Sequence, residues 1–431
     1  MRLRFINLPP TQCQSFSRAT SLARLRYLSI KHTMNNNYQN DVNSSLKYCR
    51  MFLKIIGIWP SINGRANKIE NFTSILLIAV CVINMSLVVI PAGYNFFYVT
   101  DVHLRILLLG PVCYFVASTI KYCCLILKAS AIKHCIEQIE KDWKLLENEE
   151  YRGIMVDNVI IAHKLTVVFS GQMYFLAMTH SIASPFWSDP YQLSDNSTIR
   201  PLIYPGLNLF IDISNTLKYE LVHTMHCVYA FISVSIESVF AALVVSFVAH
   251  ACGMFQIRMT QLGYLVDETK GKDKKNENLL AVIVYGHVEA LRYAKSISKA
   301  LQELYFFNIV STTIVICAMG YLCIVARKNN DIVAIGTYIG AWFSLSFNMF
   351  VMCYAGERLL EQGEKFGDAT YNIKWYDLPQ KRELDLILLI AIAKFPPKLT
   401  GGKIFEISVN TFGTVVKTSF AYLNLCQAIT E

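Results

Sequence analysis

Charge is scarce in this chain. Only 16% of its 431 residues are Asp, Glu, Lys or Arg, while 54% are hydrophobic and mean hydropathy is +0.36. A soluble globular domain carries about 25% charged residues, so a soluble-enzyme reading starts poorly. Catalytic signatures are missing too: there is no nucleotide-binding loop, no His-Glu-x-x-His and no nucleophile elbow. Thirteen cysteines are present, but metal-ligand spacing is not; Cys123 and Cys124 are adjacent rather than two residues apart. None falls in a connection assigned below to the outer side. A disulfide framework is therefore not expected, and the thiols read as small buried hydrophobes. Neither metal nor cofactor is expected.

The net charge of +9 could suggest nucleic acid. The basic residues lack the patch interleaved with stacking aromatics which that partner requires. They sit instead in the connections between apolar runs, so no nucleic-acid partner is expected. Residues 1–33 contain no acid and six basic residues, from Arg2 to Lys31. Three readings stay open for this stretch: a disordered cytoplasmic tail, an extension upstream of a true start at Met34, and a mitochondrial transit peptide. No secretory signal is visible.

The apolar residues fall into runs of about 20, each long enough to cross a bilayer as a helix. Seven spans are predicted, at 72–91, 104–127, 157–181, 224–254, 304–326, 332–354 and 404–428. The first is read as ending at Pro91, and the last as opening at Gly401–Gly402–Lys403. The fold class is thus an all-α membrane protein of seven transmembrane helices. The division is a basic tail at 1–40, a cytoplasmic amphipathic segment at 41–71 and a six-helix bundle at 72–354. A segment at 355–403 and a seventh helix at 404–431 complete it; the resemblance given below implies that the first is a cytoplasmic anchor and the second pore-lining. The segment LKYCRMFLKIIGIWP has helical spacing that suits either the membrane interface or a protein surface.

Lys and Arg concentrate before span one and after spans two, four and six. The other side holds only Arg105, Arg200, Lys218, Arg327 and Lys328. This bias predicts a cytoplasmic N-terminus and an extracellular C-terminus. The sequon at Asn196 falls in a connection placed outside and is a glycosylation candidate. This orientation is inverted relative to a G-protein-coupled receptor, and no Asp-Arg-Tyr ends span three.

Ionisable residues inside a span mark functional sites by default. They are Lys121, Lys164, Glu237 and Lys417. Lys121 and Lys164 are read as snorkelling to the cytoplasmic interface. Glu237, among Ser233, Ser235 and Ser238, is the candidate for a buried polar contact. Aromatics in the outer halves, Tyr174 and Phe175 among them, could line an apolar pocket for a small ligand or form an interfacial belt. Tyr114, Phe231 and Glu237 join the pocket candidates. The seventh span keeps Asn410, Lys417, Asn424 and Gln427, so it is expected to face protein or water rather than lipid.

Three stretches carry a family resemblance: GIWP at 57–60, AGERLLEQGEKFGDATYNIKWYDLP at 355–379, and LTGGKIFEISVNTFGTVVKTSFAYLNL before the C-terminus. From about residue 41 the chain resembles an insect odorant receptor. The resemblance implies a subunit of an odorant-gated, non-selective cation channel. Such subunits form tetramers with a shared odorant co-receptor, in the dendritic plasma membrane of olfactory neurons. The ligand would be a small volatile held in the outer half of the second, third, fourth and sixth helices. Trp375, Tyr376, Asp377, Pro379, Lys403, Phe405 and Phe412 belong to the matching anchor motif. Alignment of the last helix to the family's pore helix puts Leu425 and Ile429 at a hydrophobic constriction, with Asn424 and Gln427 near its mouth. An apolar ring of this kind closes a pore by dewetting. The alternatives are a gustatory receptor of the same superfamily and, from another class, a secondary transporter with Glu237 as coupling carboxylate.

Overall fold

The structure is a computed structural model that describes residues 38–64, 66–187, 191–192, 198–199, 202–204, 206–211, 216–267, 273–373 and 380–430. For 103, 183–187, 191–192, 198–199, 266–267, 273–278, 380–385, 388 and 425–430 it describes the backbone alone.

Nearly everything described is helical. In chain order the helices are α1 (Tyr38–Ser45), α2 (Lys47–Ile55), α3 (Trp59–Asn63), α4 (Lys68–Tyr98), α5 (Val102–Leu127), α6 (Ala129–Lys144) and α7 (Glu149–Trp187). Then follow α8 (Thr216–Asp267), α9 (Asp273–Lys328), α10 (Ile332–Asn372), α11 (Gln380–Ala393) and α12 (Val409–Thr430). Two short antiparallel hairpins interrupt them. The first pairs β1 (Tyr191–Gln192) with β2 (Thr198–Ile199), and the second pairs β3 (Thr400–Gly401) with β4 (Phe405–Glu406).

Among the described residues, six helices are long and apolar enough to cross a membrane: α4, α5, α7, α8, α9 and α10. Each covers an expected span and overruns it. The overrun is largest for α8, α9 and α10, whose full lengths are 52, 56 and 41 residues. Apolar run length signals only the part in hydrocarbon; a helix continues wherever capping and packing still favour it. Thus α10 passes the expected boundary at 354 and ends only at Asn372. Its start is fixed locally, because the Asp331 side chain accepts from the Ala334 N–H at 2.9 Å.

Two expected boundaries move. Pro91 does not end the first span: α4 runs through it to Tyr98, as membrane helices tolerate Pro where neighbours re-satisfy the backbone. The last helix does not open at Gly401. Residues 400–406 form the β3–β4 hairpin, with Gly402 and Lys403 at φ +60° and +63°, and α12 starts at Val409.

The core is built around α8. In its most apolar window 94% of residues are buried, against 33% in α4 and 22% in α10. A helix that is apolar on every side belongs inside, and α7, α9, α10, α5, α4 and α2 all pack on it. The segment before α4 also packs on protein. Leu46, Cys49, Phe52, Leu53, Ile56 and Trp59 are buried, and Tyr122 donates to the Ile56 carbonyl at 3.0 Å. Arg152 on α7 clamps Asp41 on α1 with two hydrogen bonds of 2.9 Å. The segment thus has the protein contacts that one of its two readings expects.

Candidate functional site

Four helices meet at one buried polar cluster. Lys121 on α5 and Glu237 on α8 are 3% and 2% exposed, with Nζ to Oε1 at 2.6 Å. Lys121 Nζ also donates to Asn308 Oδ1 on α9 at 2.7 Å, and Asn348 on α10 donates to Glu237 Oε2 at 3.4 Å. Lys121 therefore does not snorkel. A lone charge is too costly to leave in apolar surroundings, and here each charge neutralises the other and gains a carboxamide. Lys164 is exposed on α7. Two opposite charges in separate apolar spans were the available sequence signal for the pair.

An aromatic layer lies beside the cluster. Phe115 on α5 meets Tyr229 on α8 edge to face at 5.4 Å between centroids. Tyr204, from the connection before α8, packs against both, 4.9 Å from Phe115 and 5.3 Å from Tyr229, and lies 5.0 Å from His226. The connection can dock this closely because Gly206, at φ +112°, lies against the Pro91 carbonyl; a Cβ there would come within 2.4 Å of the oxygen. Tyr114 is half-buried beside Phe115, within electrostatic range of Glu237. On the other side Tyr174 shares a 2.7 Å hydrogen bond with Ser235, and its ring lies 5.6 Å from Phe231.

The five pocket candidates separate on this geometry. Tyr114, Tyr174 and Glu237 face the interior. Phe175 is 74% exposed on α7. Phe231 is 41% exposed and reaches the layer only through Tyr174. Tyr229 and Ser118, which the structure brings beside this cluster, carry no charge to mark them in the sequence; Tyr204 stands there only as one aromatic of the outer connection, and Ser233 only as a neighbour of Glu237.

The second candidate region is α12. Its buried side, with Val415 and Ser419, packs against α9 and α10, and Ser419 donates to the Thr313 carbonyl at 3.4 Å. Asn410, Thr414, Lys417, Ala421 and Asn424 are exposed. Their spacing, alternately four and three residues, puts them on one face. Leu425, Gln427 and Ile429 lie on the same helix, with their side chains outside the described residues. Of the anchor motif, Phe405 packs 6.2 Å from Phe306 and Phe412 lies 5.6 Å from Phe350. Lys403 is exposed. Trp375, Tyr376, Asp377, Pro379 and the sequon at Asn196 lie outside the described residues. The β3–β4 hairpin is held between two helices: Gly402 donates to the Gln302 carbonyl on α9 at 2.9 Å, and Gly356 of α10 abuts the Ile407 carbonyl. Among the described residues, no group of His, Cys, Asp or Glu could hold a metal ion.

Comparisons with known proteins agree with this architecture. The family model described as 7tm Odorant receptor matches residues 105–420. Odorant receptor 10 of Aedes albopictus is 20% identical over 54% of this chain and 61% of its own length. Odorant receptor Or2 of Anopheles gambiae is 25% identical over 33% of this chain and 37% of its own. The chain thus spans less than two thirds of either relative. In fold it is similar to the insect olfactory receptor OR5 from Machilis hrabei, solved in complex with eugenol, with a TM-score of 0.74 at 14% identity over 91% of this chain and all of that one.

Proposed function

Since the chain belongs to the 7tm Odorant receptor family, and is therefore a multi-pass, all-α membrane protein of seven transmembrane helices, we propose that it is a subunit of an odorant-gated, non-selective cation channel. Its partners are an odorant co-receptor subunit, in a hetero-tetramer, and a small volatile organic ligand. It works in the plasma membrane of olfactory neuron dendrites, with the N-terminus in the cytoplasm.

The observation that carries this reading is the polar stripe on α12. Asn410, Thr414, Lys417 and Asn424 are exposed along one face of a helix whose other side is packed on α9 and α10. Such a face is costly against hydrocarbon and favourable against water. Repeated around an axis by neighbouring subunits, it lines an ion path. Leu425 and Ile429, one and two turns beyond Ala421, close that path as an apolar constriction. Ligand in the interhelical site biases two helix arrangements by no more than its differential affinity for them. The transporter alternative is weakened by the buried ion pair, because Glu237 is already neutralised by Lys121.

Cysteine accessibility tests the proposal. In cells that also express a co-receptor, a charged thiol reagent should block odour-evoked current in Asn410→Cys and Thr414→Cys and spare Val415→Cys. Block confined to Val415→Cys would refute the pore assignment. For the orientation, an antibody should reach a C-terminal tag on unpermeabilised cells; staining only after permeabilisation would reverse it.

A further inference from the structure

The helices α5 and α8 present matching faces to each other. On α5, Phe115, Ser118 and Lys121 are spaced by three residues; on α8, Tyr229, Ser233 and Glu237 are spaced by four. Both patterns keep their residues on one side of a helix. The two ends of this seam are fixed by contacts: Phe115 with Tyr229 at 5.4 Å, and Lys121 with Glu237 at 2.6 Å. Ser118 and Ser233 are the middle members, each lying between these two fixed ends. The seam therefore has a ring layer closed by Tyr204 at one end, an ion pair at the other, and two small hydroxyl side chains between. Eight residues separate Tyr229 from Glu237, or about 12 Å of helix.

The middle level has unmet hydrogen-bonding capacity. Ser118 and Ser233 are 0% and 1% exposed, and neither hydroxyl has a hydrogen-bond partner among the described residues. The Tyr229 hydroxyl likewise has none; it lies close to Ser233, without hydrogen-bond geometry. Buried hydroxyls are nearly always satisfied, and three unpaired together on one seam require an explanation.

We propose that this seam is the polar end of the ligand site and that it selects neutral oxygen-bearing molecules: alcohols, phenols, ketones and aldehydes. The proposal rests on the receptor reading above. A hydroxyl can donate to a carbonyl or ether oxygen and can accept from an alcohol, so Ser118, Ser233 and Tyr229 accommodate any of these. Hydrocarbons of the same shape leave the three hydroxyls unpaired and bind less well. Ions are disfavoured, because Lys121 and Glu237 already neutralise each other and offer no uncompensated charge. The aromatic layer of Phe115, Tyr204 and Tyr229 receives the apolar body.

The test uses the full chain with a co-receptor and three matched probe pairs: octanol and nonane, acetophenone and cumene, benzyl alcohol and ethylbenzene. Two readouts are taken, odour-evoked current and the ligand-induced shift in melting temperature of the detergent-solubilised chain. The oxygenated member of at least one pair should act at a concentration about ten-fold lower than its hydrocarbon. The double variant Ser118→Ala/Ser233→Ala should erase that preference, and Ser118→Thr/Ser233→Thr should keep it. Should the alanine variant lose its cooperative melt, Tyr229→Phe serves in its place. Equal response within every pair, or a preference untouched by these variants, overturns the proposal. Current without oxygen preference removes the seam and leaves the channel. Thermal shifts that show the preference, with no current, keep the seam and remove the channel. Silence in both readouts overturns both.

Discussion

Lys121 and Glu237 stand 116 residues apart in sequence and 2.6 Å apart in space, both withdrawn from solvent. Their meeting ties α5 to α8, and through Asn308 and Asn348 to α9 and α10.

Removal of one partner should therefore cost more than removal of both. Lys121→Met leaves a buried carboxylate without its counter-charge, a loss of about 3–5 kcal/mol. The double variant Lys121→Met/Glu237→Leu should regain most of it. Chemical denaturation of the wild type, both single variants and the double variant in detergent gives the cycle. Additive losses would show that the pair contributes no coupling.

Gly356 abuts the Ile407 carbonyl so closely that a Cβ would come within 2.1 Å of the oxygen. Backbone, not a flexible side-chain tip, is the obstacle. Gly356→Ala should therefore displace the β3–β4 hairpin and cost about 1–3 kcal/mol. Surface biotinylation should report less mature protein than for Gly171→Ala, where a Cβ meets nothing within 4 Å.

Lys417 is exposed on the polar face of α12. A fixed positive charge beside a cation path repels the permeant ion, and salt screens it. Lys417→Gln should raise unitary conductance at low ionic strength and lose that advantage near one molar salt. Single-channel recording at the two salt levels reads this directly; identical conductance in both would turn the face away from the path.

Burial pushes the Cys135 thiol up to about 12. It lies on α6, outside the spans, and is 1% exposed. In the folded chain the thiol stays protonated across the neutral and mildly alkaline range. Alkylation of Cys135 should be negligible between about pH 7 and 9 and become complete on denaturation. Since the folded state holds this proton more tightly than the unfolded chain, its contribution to stability is present below about pH 9 and lost as pH rises toward 12. Mass spectrometry of labelled peptides checks the first expectation, and melting temperature against pH the second.

What the sequence disclosed follows the distance over which each cause acts. Crossing a bilayer requires an uninterrupted run of apolar residues, so the long helices stood out from composition. Their overruns did not, because α9 and α10 continue past the apolar stretch on packing that leaves no hydropathy trace. Glu237 stood out as an intramembrane charge; that Lys121 answers it depends on how α5 and α8 pack, and spacing within either helix is silent about that. The hairpin at 400–406 was read as the start of a helix, since its glycines and apolar neighbours do not reveal the turn at Gly402 and Lys403. Tyr204 was visible only as one aromatic among many in a connection.

The 56 residues of α9 make one unbroken rod of about 84 Å. Gln302, near its midpoint, grips the collar that introduces α12, and Asn308, less than two turns away, holds the ammonium of Lys121. Both attachments fall within six residues on the same helix, so the lysine and the root of the final helix share one support.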